Sequence, residues 1–376
     1  MFKVAFIGGG INSAIGRTHK IACQMDGKFK VVAGAFSRDD RINRETAKEF
    51  DIADDRVYMD YSELIDKERE RIDAIVVLTP TDTHLEIVRQ CIEAGYPVIC
   101  EKSLTTCLEL GKAVFDLVEK KKAFLCVTYN YTGYPMVRVL REKIKQGRLG
   151  KITNIAIEMP QEGFTRYTLE GKKPVPQSWR LKDYTIPTIS LDLGTHLHNM
   201  IAFLTEAIPL RVVAREKTYG FFENIIDNVE CLIDYSDDIS VQMWYSKVAV
   251  GNRNGLRIRI YGTKASAEWY QMEPEVLQLN DCYGSIQILD RSNDLEIGME
   301  PRYNRFKPGH PIGFIEAFAN YYSDIYDLLL LYKQGENLNS KYILPLEYSV
   351  EGLALFEAAH HASQHRMWRE VGCQRG

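Results

Sequence analysis

No apolar run in the sequence approaches the ~20 residues that a membrane-spanning helix needs. Nor is there a basic surplus: Lys and Arg total 47 against 51 Asp and Glu, a formal charge of −4. A nucleic-acid binder would show an excess of Lys and Arg, so that class is disfavoured. Internal repeats, low-complexity tracts and extended linkers are also missing. The eight cysteines (Cys23, Cys91, Cys100, Cys107, Cys126, Cys231, Cys282 and Cys373) are scattered and form no C-x-x-C pair. They read as reduced thiols of a cytoplasmic protein, not as a disulfide or zinc framework. Met1–Ile7 is apolar but short, without the charged start and small-residue cleavage site of a signal peptide.

What is present is an ordinary folded composition, 45% hydrophobic and 26% charged over 376 residues. That length suggests about two domains. Up to residue 128, apolar β-branched runs alternate with helical patterns. The strand runs are Val4–Ile7, Lys30–Phe36, Ala74–Leu78, Pro97–Cys100 and Phe124–Val127. Helical spacing covers Thr18–Met25, Leu85–Ala94 and Leu108–Lys120. Such alternation implies a parallel sheet with helical crossovers. After Tyr129 the pattern changes. A helix is expected from Pro135 to Gln146, then strands at Ile152–Met159 and near 210–218, 228–235, 239–247 and 256–262. Short turns between the later strands suit antiparallel pairing. Helical patterns over Ile312–Lys333 and Leu346–His365 follow. The expected fold is α/β: a Rossmann-like parallel-sheet domain at 1–128, and an α+β domain at 129–376 with a large open, mostly antiparallel sheet. The two are expected to share a cleft.

Gly8-Gly9-Gly10-Ile11-Asn12-Ser13-Ala14-Ile15-Gly16 follows the first strand and precedes a helix. Glycines at such a turn let the backbone approach a pyrophosphate, whose charge the helix amino terminus stabilises. The spacing departs from G-x-G-x-x-G: Ser13 stands where the third glycine belongs, and Gly16 comes three residues late. The plain alternative is a tight strand-to-helix turn. The second strand ends Ala35-Phe36-Ser37-Arg38-Asp39, with Ser37 and Arg38 where a ribose-binding acid is usual. Loss of that acid removes repulsion towards a 2′-phosphate, and Arg38 is placed to pair with one, which favours NADP. Equally, Arg38 stacks on adenine or faces solvent, and NAD binds.

Thr79-Pro80-Thr81-Asp82-Thr83-His84 follows one strand, and Glu101-Lys102-Ser103 ends the next. Both would lie at carboxyl ends of parallel strands, where open α/β sheets bind ligands. Taken with the glycine turn, these stretches resemble the Gfo/Idh/MocA family, the relatives of glucose-fructose oxidoreductase and inositol 2-dehydrogenase. Asp192-Leu193-Gly194-Thr195-His196 is similar to the family's D-x-G-x-H segment, and Ser178-Trp179-Arg180 to its W-R element. Gly262-Thr263-Lys264 and the stretch His310–Phe318 resemble later family segments, so the likeness spans nearly the whole chain. Ser103 replaces the family's proline after the lysine. The long glycine turn resembles a branch in which pyrophosphate contacts shift to Asn12, Ser13 or Ile15.

The resemblance implies an NAD(P) site built from Gly8, Gly10, Asn12, Ser13, Ile15, Ser37, Arg38, Thr79, Pro80, His84, Glu101, Lys102, Trp179 and Arg180. It assigns catalysis to Lys102, Asp192 and His196. By analogy, His196 is the acid/base, Lys102 relays the proton and orients the substrate, and Asp192 binds substrate. A four-residue spacing puts Asp192 and His196 on one face of a helix expected over Leu193–Leu204. A near-neutral imidazole suits proton removal from an alcohol as hydride leaves the same carbon. Tyr129 and Asn130, at the domain junction, are expected to line the substrate site with Lys102, Asp192 and His196. His19 reads as a packing or capping residue; His198, two residues beyond His196, falls on another helix face, with a substrate contact the lesser of its two readings. His361 and His365 have metal-pair spacing but no acidic or cysteine partner, so no metal is expected.

The leading expectation is an NAD(P)-dependent dehydrogenase acting on a secondary alcohol of a sugar, polyol or nucleotide-linked sugar, working as a homodimer or homotetramer in the cytoplasm. No membrane or nucleic-acid partner is expected. Two alternatives stand beside it: a glycosidase that uses transient oxidation by bound NAD, and a non-catalytic NAD(P) or sugar sensor. Retention of Lys102, Asp192 and His196 favours the enzyme.

Overall fold

The computed structural model describes residues 1–293 and 300–372; Cys373 lies outside them. In chain order the elements begin with β1 (Phe2–Gly8), α1 (Ala14–Gln24), β2 (Phe29–Ala35), α2 (Asp40–Phe50), α3 (Tyr61–Lys67), β3 (Ala74–Leu78), α4 (His84–Glu93), β4 (Val98–Glu101), α5 (Leu108–Lys121) and β5 (Leu125–Thr128). Then come α6 (Pro135–Lys145), β6 (Ile152–Pro160), α7 (Thr195–Thr205), β7 (Pro209–Lys217), β8 (Asn228–Tyr235), β9 (Ile239–Ser246), β10 (Arg257–Gly262), β11 (Ala265–Tyr270), β12 (Leu277–Asp281) and β13 (Ile286–Leu289). The last are α8 (Phe314–Gln334), α9 (Glu347–His365) and β14 (Arg369–Glu370).

The chain divides into two units. The first comprises Met1–Thr105, Glu109–Gly133 and Phe314–Glu347; the second comprises Thr106–Leu108, Tyr134–Gly313 and Tyr348–Gly376. In the first, five strands form a sheet in the order β2-β1-β3-β4-β5, and all the pairings are parallel. All five residues of β3 are buried, as a strand covered on both faces requires. The order reverses between β1 and β3, the position where such sheets bind ligands beyond their strand ends. Helix α8, far later in the chain, packs in this unit: Phe318 and Tyr322 make edge-on contacts with His19 of α1. Sequence patterning foresaw α8 as a helix but grouped it with the second half.

The second unit holds a nine-stranded sheet in the order β13-β12-β11-β10-β6-β9-β8-β7-β14. Only the β6–β9 pairing is parallel among the described strands. Strict alternation sets its two faces. On β8, Val229, Cys231, Ile233 and Tyr235 are buried while Glu230 and Leu232 are exposed; on β9, Ile239, Val241, Met243 and Tyr245 are buried. The buried face packs on helices: Phe356 of α9 meets the Tyr245 ring edge-on at 6.0 Å. On the other face, residues such as Glu230 and Leu232 are exposed, the pattern of an antiparallel sheet with one solvated side.

Seven cysteines are free thiols. Burial pushes Cys91 and Cys126 up to about 12 and raises Cys23, Cys100 and Cys231 as well, which makes them core residues, not nucleophiles. Among the described residues no helix is long and apolar enough to cross a membrane.

Candidate functional site

In the first unit the glycine turn is closed by contacts that admit no side chain. Gly8 and Gly9 have φ of +84° and +75°, left-handed values that disfavour any Cβ. A Cβ on Gly8 would lie 2.8 Å from the backbone of Leu78 at the end of β3. A Cβ on Gly16 would lie 1.8 Å from the carbonyl oxygen of Gly9. Gly16 therefore performs the close helix-to-turn packing assigned to the third glycine of a dinucleotide fingerprint, three residues later in the chain. The first turn of α1 carries no acidic residue and Ser13 makes no side-chain cap, so neither competes with an anion at the helix start. Ile11 N–H donates to Thr46 Oγ1 at 3.0 Å, which anchors the turn to α2. This cradle fits a dinucleotide: the backbone approaches closely, and donors stand without acids beside them.

Beyond β2, the Asp39 carboxylate caps α2 by accepting from Ile42 N–H at 3.0 Å, and Ser37 Oγ accepts from Asp39 N–H at 3.1 Å. The acid nearest the expected ribose contact is thus engaged in helix capping. Arg38 is exposed and has no ion-pair partner among the described residues. At the end of β3, Thr83 Oγ1 donates to Pro80 O at 2.7 Å and lies 2.8 Å from Thr79 Oγ1. His84 is buried with Nδ1 2.8 Å from Ser103 O and Nε2 2.8 Å from Thr79 O. It clamps the Thr-Pro turn to the peptide that follows Lys102. Burial depresses the His84 pKa, with the two carbonyls acting in the opposite direction. The Lys102–Ser103 peptide bond is cis.

Glu101 is buried. Its Oε1 lies 2.9 Å from His19 Nε2 and also accepts from the Thr128 hydroxyl. Burial acts to raise its pKa, but the hydrogen bond from His19, the nearby charge of Lys102 and the Thr128 hydrogen bond outweigh it and hold the carboxyl below its usual range. The side chain of Glu101, a residue expected at the cofactor, is held within the unit by His19 and Thr128. Tyr129 and Asn130 are buried in the turn after β5.

In the second unit, Ser190–Gly194 forms a π-helical turn that leads into α7 at Thr195. Sequence spacing predicts a regular helix from Leu193. The wider turn arises where Gly194 passes Phe356 and Tyr245: a Cβ there would lie 2.8 Å from the first ring and 3.2 Å from the second. Ser190 Oγ is 2.8 Å from Tyr245 Oη and ties the same turn to β9. Asp192 sits within the π-turn and His196 in the first turn of α7, both buried. π-Turns of this kind are frequent at functional sites.

Asp192 Oδ2 accepts from the Lys247 ammonium at 2.5 Å and also from Arg180 Nη1. Lys247 is almost wholly buried, with its ammonium 5.3 Å from the centre of the Phe164 ring. Arg180 lies over Trp179, whose Nε1–H donates to Gln177. Trp179 and Arg180, expected at the cofactor, thus stand beside Asp192. Sequence reasoning missed Lys247. It follows β9 in an unremarkable run, and nothing local marks it; only the fold brings it to Asp192, 55 positions away. His198 points elsewhere, with Nδ1 3.2 Å from Tyr235 Oη and Nε2 3.3 Å from the buried Glu351 carboxylate. His360 pairs with Glu216 at 2.8 Å, and His365 Nδ1 lies 2.8 Å from the His361 carbonyl. Among the described residues no cluster of three or more His, Cys, Asp or Glu is placed to hold a metal.

Comparison with known proteins agrees with this geometry. Residues 2–129 match the oxidoreductase family with NAD-binding Rossmann fold, and residues 137–268 match the GFO/IDH/MocA C-terminal domain. An uncharacterized oxidoreductase, YfiI of Bacillus subtilis (strain 168), is 30% identical over 97% of this chain and 96% of its own. Glucose-6-phosphate 3-dehydrogenase of the same organism is 25% identical over 75% of this chain and 78% of its own. An inositol dehydrogenase homologue from Azotobacter vinelandii, solved with NADH and myo-inositol, superposes with a TM-score of 0.87 at 26% identity, covering 98% of this chain and 97% of that one. With both parts matched and an NAD-binding Rossmann unit in place, the chain belongs to the Gfo/Idh/MocA family of oxidoreductases.

Proposed function

We propose that the protein is an NAD(P)-dependent dehydrogenase acting on a secondary alcohol carbon of a sugar, polyol or nucleotide-linked sugar. The observation that carries this reading is the buried Asp192 carboxylate, held by Lys247 and Arg180 one turn before His196. When bound, the nicotinamide supplies the hydride acceptor or donor. His196 removes the hydroxyl proton in oxidation and returns it in reduction. Lys102 relays that proton and orients the hydroxyl oxygen. Asp192, paired with Lys247 and Arg180, accepts hydrogen bonds from a hydroxyl-rich substrate. Tyr129 and Asn130 contribute further substrate contacts. The turn after β2 has Ser37 and exposed Arg38 in place of an available acid, so both NAD and NADP are tested as cofactors. The buried free thiols suit the reducing cytoplasm.

The open sheet face is proposed to pair subunits. Leu232 is 51% exposed there, and Trp244 stands on the next strand.

A panel of sugars, polyols and nucleotide sugars with each cofactor, followed by nicotinamide absorbance, tests the reading. At least one secondary alcohol should be oxidised. Lys102→Ala and His196→Ala should each lower turnover by about a hundredfold or more while NADH binding is retained. Near-normal turnover in either variant would remove that residue from the chemistry.

A further inference from the structure

His19 is fully buried in α1, one turn beyond the Gly16 that closes the dinucleotide cradle. Its Nε2 lies 2.9 Å from Glu101 Oε1 at the end of β4, and its Nδ1 lies 2.6 Å from the Tyr322 hydroxyl on α8. Phe318 of α8 packs edge-on to the same ring at 4.5 Å. A single proton arrangement satisfies every atom: the Tyr322 O–H donates to Nδ1, and the Nε2–H donates to Glu101, which also accepts from Thr128. Burial raises the Tyr322 pKa well above its usual value, so the phenol keeps the proton it donates. One imidazole therefore joins the helix that carries the glycine turn, the strand that ends at Lys102, and α8.

We propose that His19 is a positioning residue that sets the glycine turn and Lys102 in common register, through Gly16 on one side and Glu101 on the other. The argument is mechanical. Gly16 has no freedom to move against Gly9, because even a Cβ there would overlap its carbonyl. A displacement of α1 is therefore a displacement of the turn. Glu101 is the residue before Lys102, and its carboxylate has two interior donors, His19 and Thr128. Loss of the His19 donor frees the end of β4 to shift, and the Lys102 backbone shifts with it. A hydrogen bond to a charged acceptor is among the stronger ones in a protein interior, and a buried acceptor left short of donors is costly. The proposal rests on Lys102 acting on substrate as described above.

The test compares His19→Phe with His19→Gln in the full-length chain. Phenylalanine keeps the ring against Phe318 but has no donor for Glu101; glutamine retains an N–H for it. His19→Phe should weaken NADH binding, measured by nicotinamide fluorescence, by about tenfold, the worth of one such hydrogen bond. It should also change the rate at which acetic anhydride labels Lys102, read by peptide mass spectrometry against the exposed Lys120 of α5 as internal standard. His19→Gln should recover most of both effects. Equal NADH affinity and equal Lys102 labelling in wild type and His19→Phe, with only a lower Tm, would overturn the proposal. If His19→Phe does not fold, Tyr322→Phe removes only the hydrogen bond to Nδ1. It should move NADH affinity and Lys102 labelling together by a smaller factor, and movement of neither would overturn it. Neither readout needs a substrate, so failure here is distinct from failure of the dehydrogenase reading, which Lys102→Ala turnover decides.

Discussion

At residue 247 an ammonium lies in the interior against an aromatic ring and a carboxylate. Burying a lysine is unfavourable unless it is paired, and Asp192 supplies the pairing. Arg180 reaches the same oxygen from a more exposed position, 31% accessible against 5% for Lys247. Lys247 is therefore the partner least screened by water. Lys247→Met keeps the volume and removes the charge. It should lower kcat/KM by about tenfold or more and reduce stability by about 3 kcal/mol, the range for breaking a buried pair. Steady-state kinetics and thermal melting check both; an unchanged kcat/KM would make the lysine a packing residue. Asp192 and His196 were legible because their motif is local. Lys247 was not, because a lysine at a strand end carries no signal until the opposing turn is in place.

At the scale of elements, Gly194 shows how a motif's spacing conceals its geometry. Four residues from Asp192 to His196 suggested one face of a regular helix. The π-turn instead widens the backbone where it crosses α9, and the contact with Phe356 leaves no space for a side chain. Gly194→Ala should lower stability by about 1–3 kcal/mol, the usual cost of overpacking. It should lower turnover as well, since Asp192 lies in the same turn. Adding Phe356→Leu should recover part of both losses in melting and rate measurements; no recovery would show that the ring is not the obstacle. Buried strands such as β3 were plain in the sequence because five consecutive apolar residues between turn signals fit little else. Helices α2 and α3 were not identified, being short and rich in charged residues. Their amino termini are fixed by Asp39 and Asp60, which accept from Ile42 and Ser62 N–H groups.

On the scale of the whole molecule, the nine-stranded sheet has one face on which residues such as Glu230 and Leu232 are exposed. Its centre carries Leu232 and Trp244, with ion pairs such as Arg257–Glu268 and Arg211–Asp234 around them. Apolar groups inside a charged surround are the usual composition of an interface between subunits. A double variant, Leu232→Glu with Trp244→Glu, should run as a monomer in size-exclusion chromatography with light scattering while the wild type runs as a larger species. Identical masses would place subunit contacts elsewhere or remove them.

By itself the sequence determined the alternation of strand and helix, the glycine cradle, and the short motifs around Lys102, Asp192 and His196. Each of these is written in consecutive residues, where backbone freedom and side-chain period act locally. The fold alone decided that Gly16 closes on Gly9, that Glu101 turns inward to His19, that Lys247 meets Asp192, and that α8 packs with the first sheet. Those outcomes depend on which distant surfaces exclude water together and which buried charges find partners, and no local run of residues encodes that.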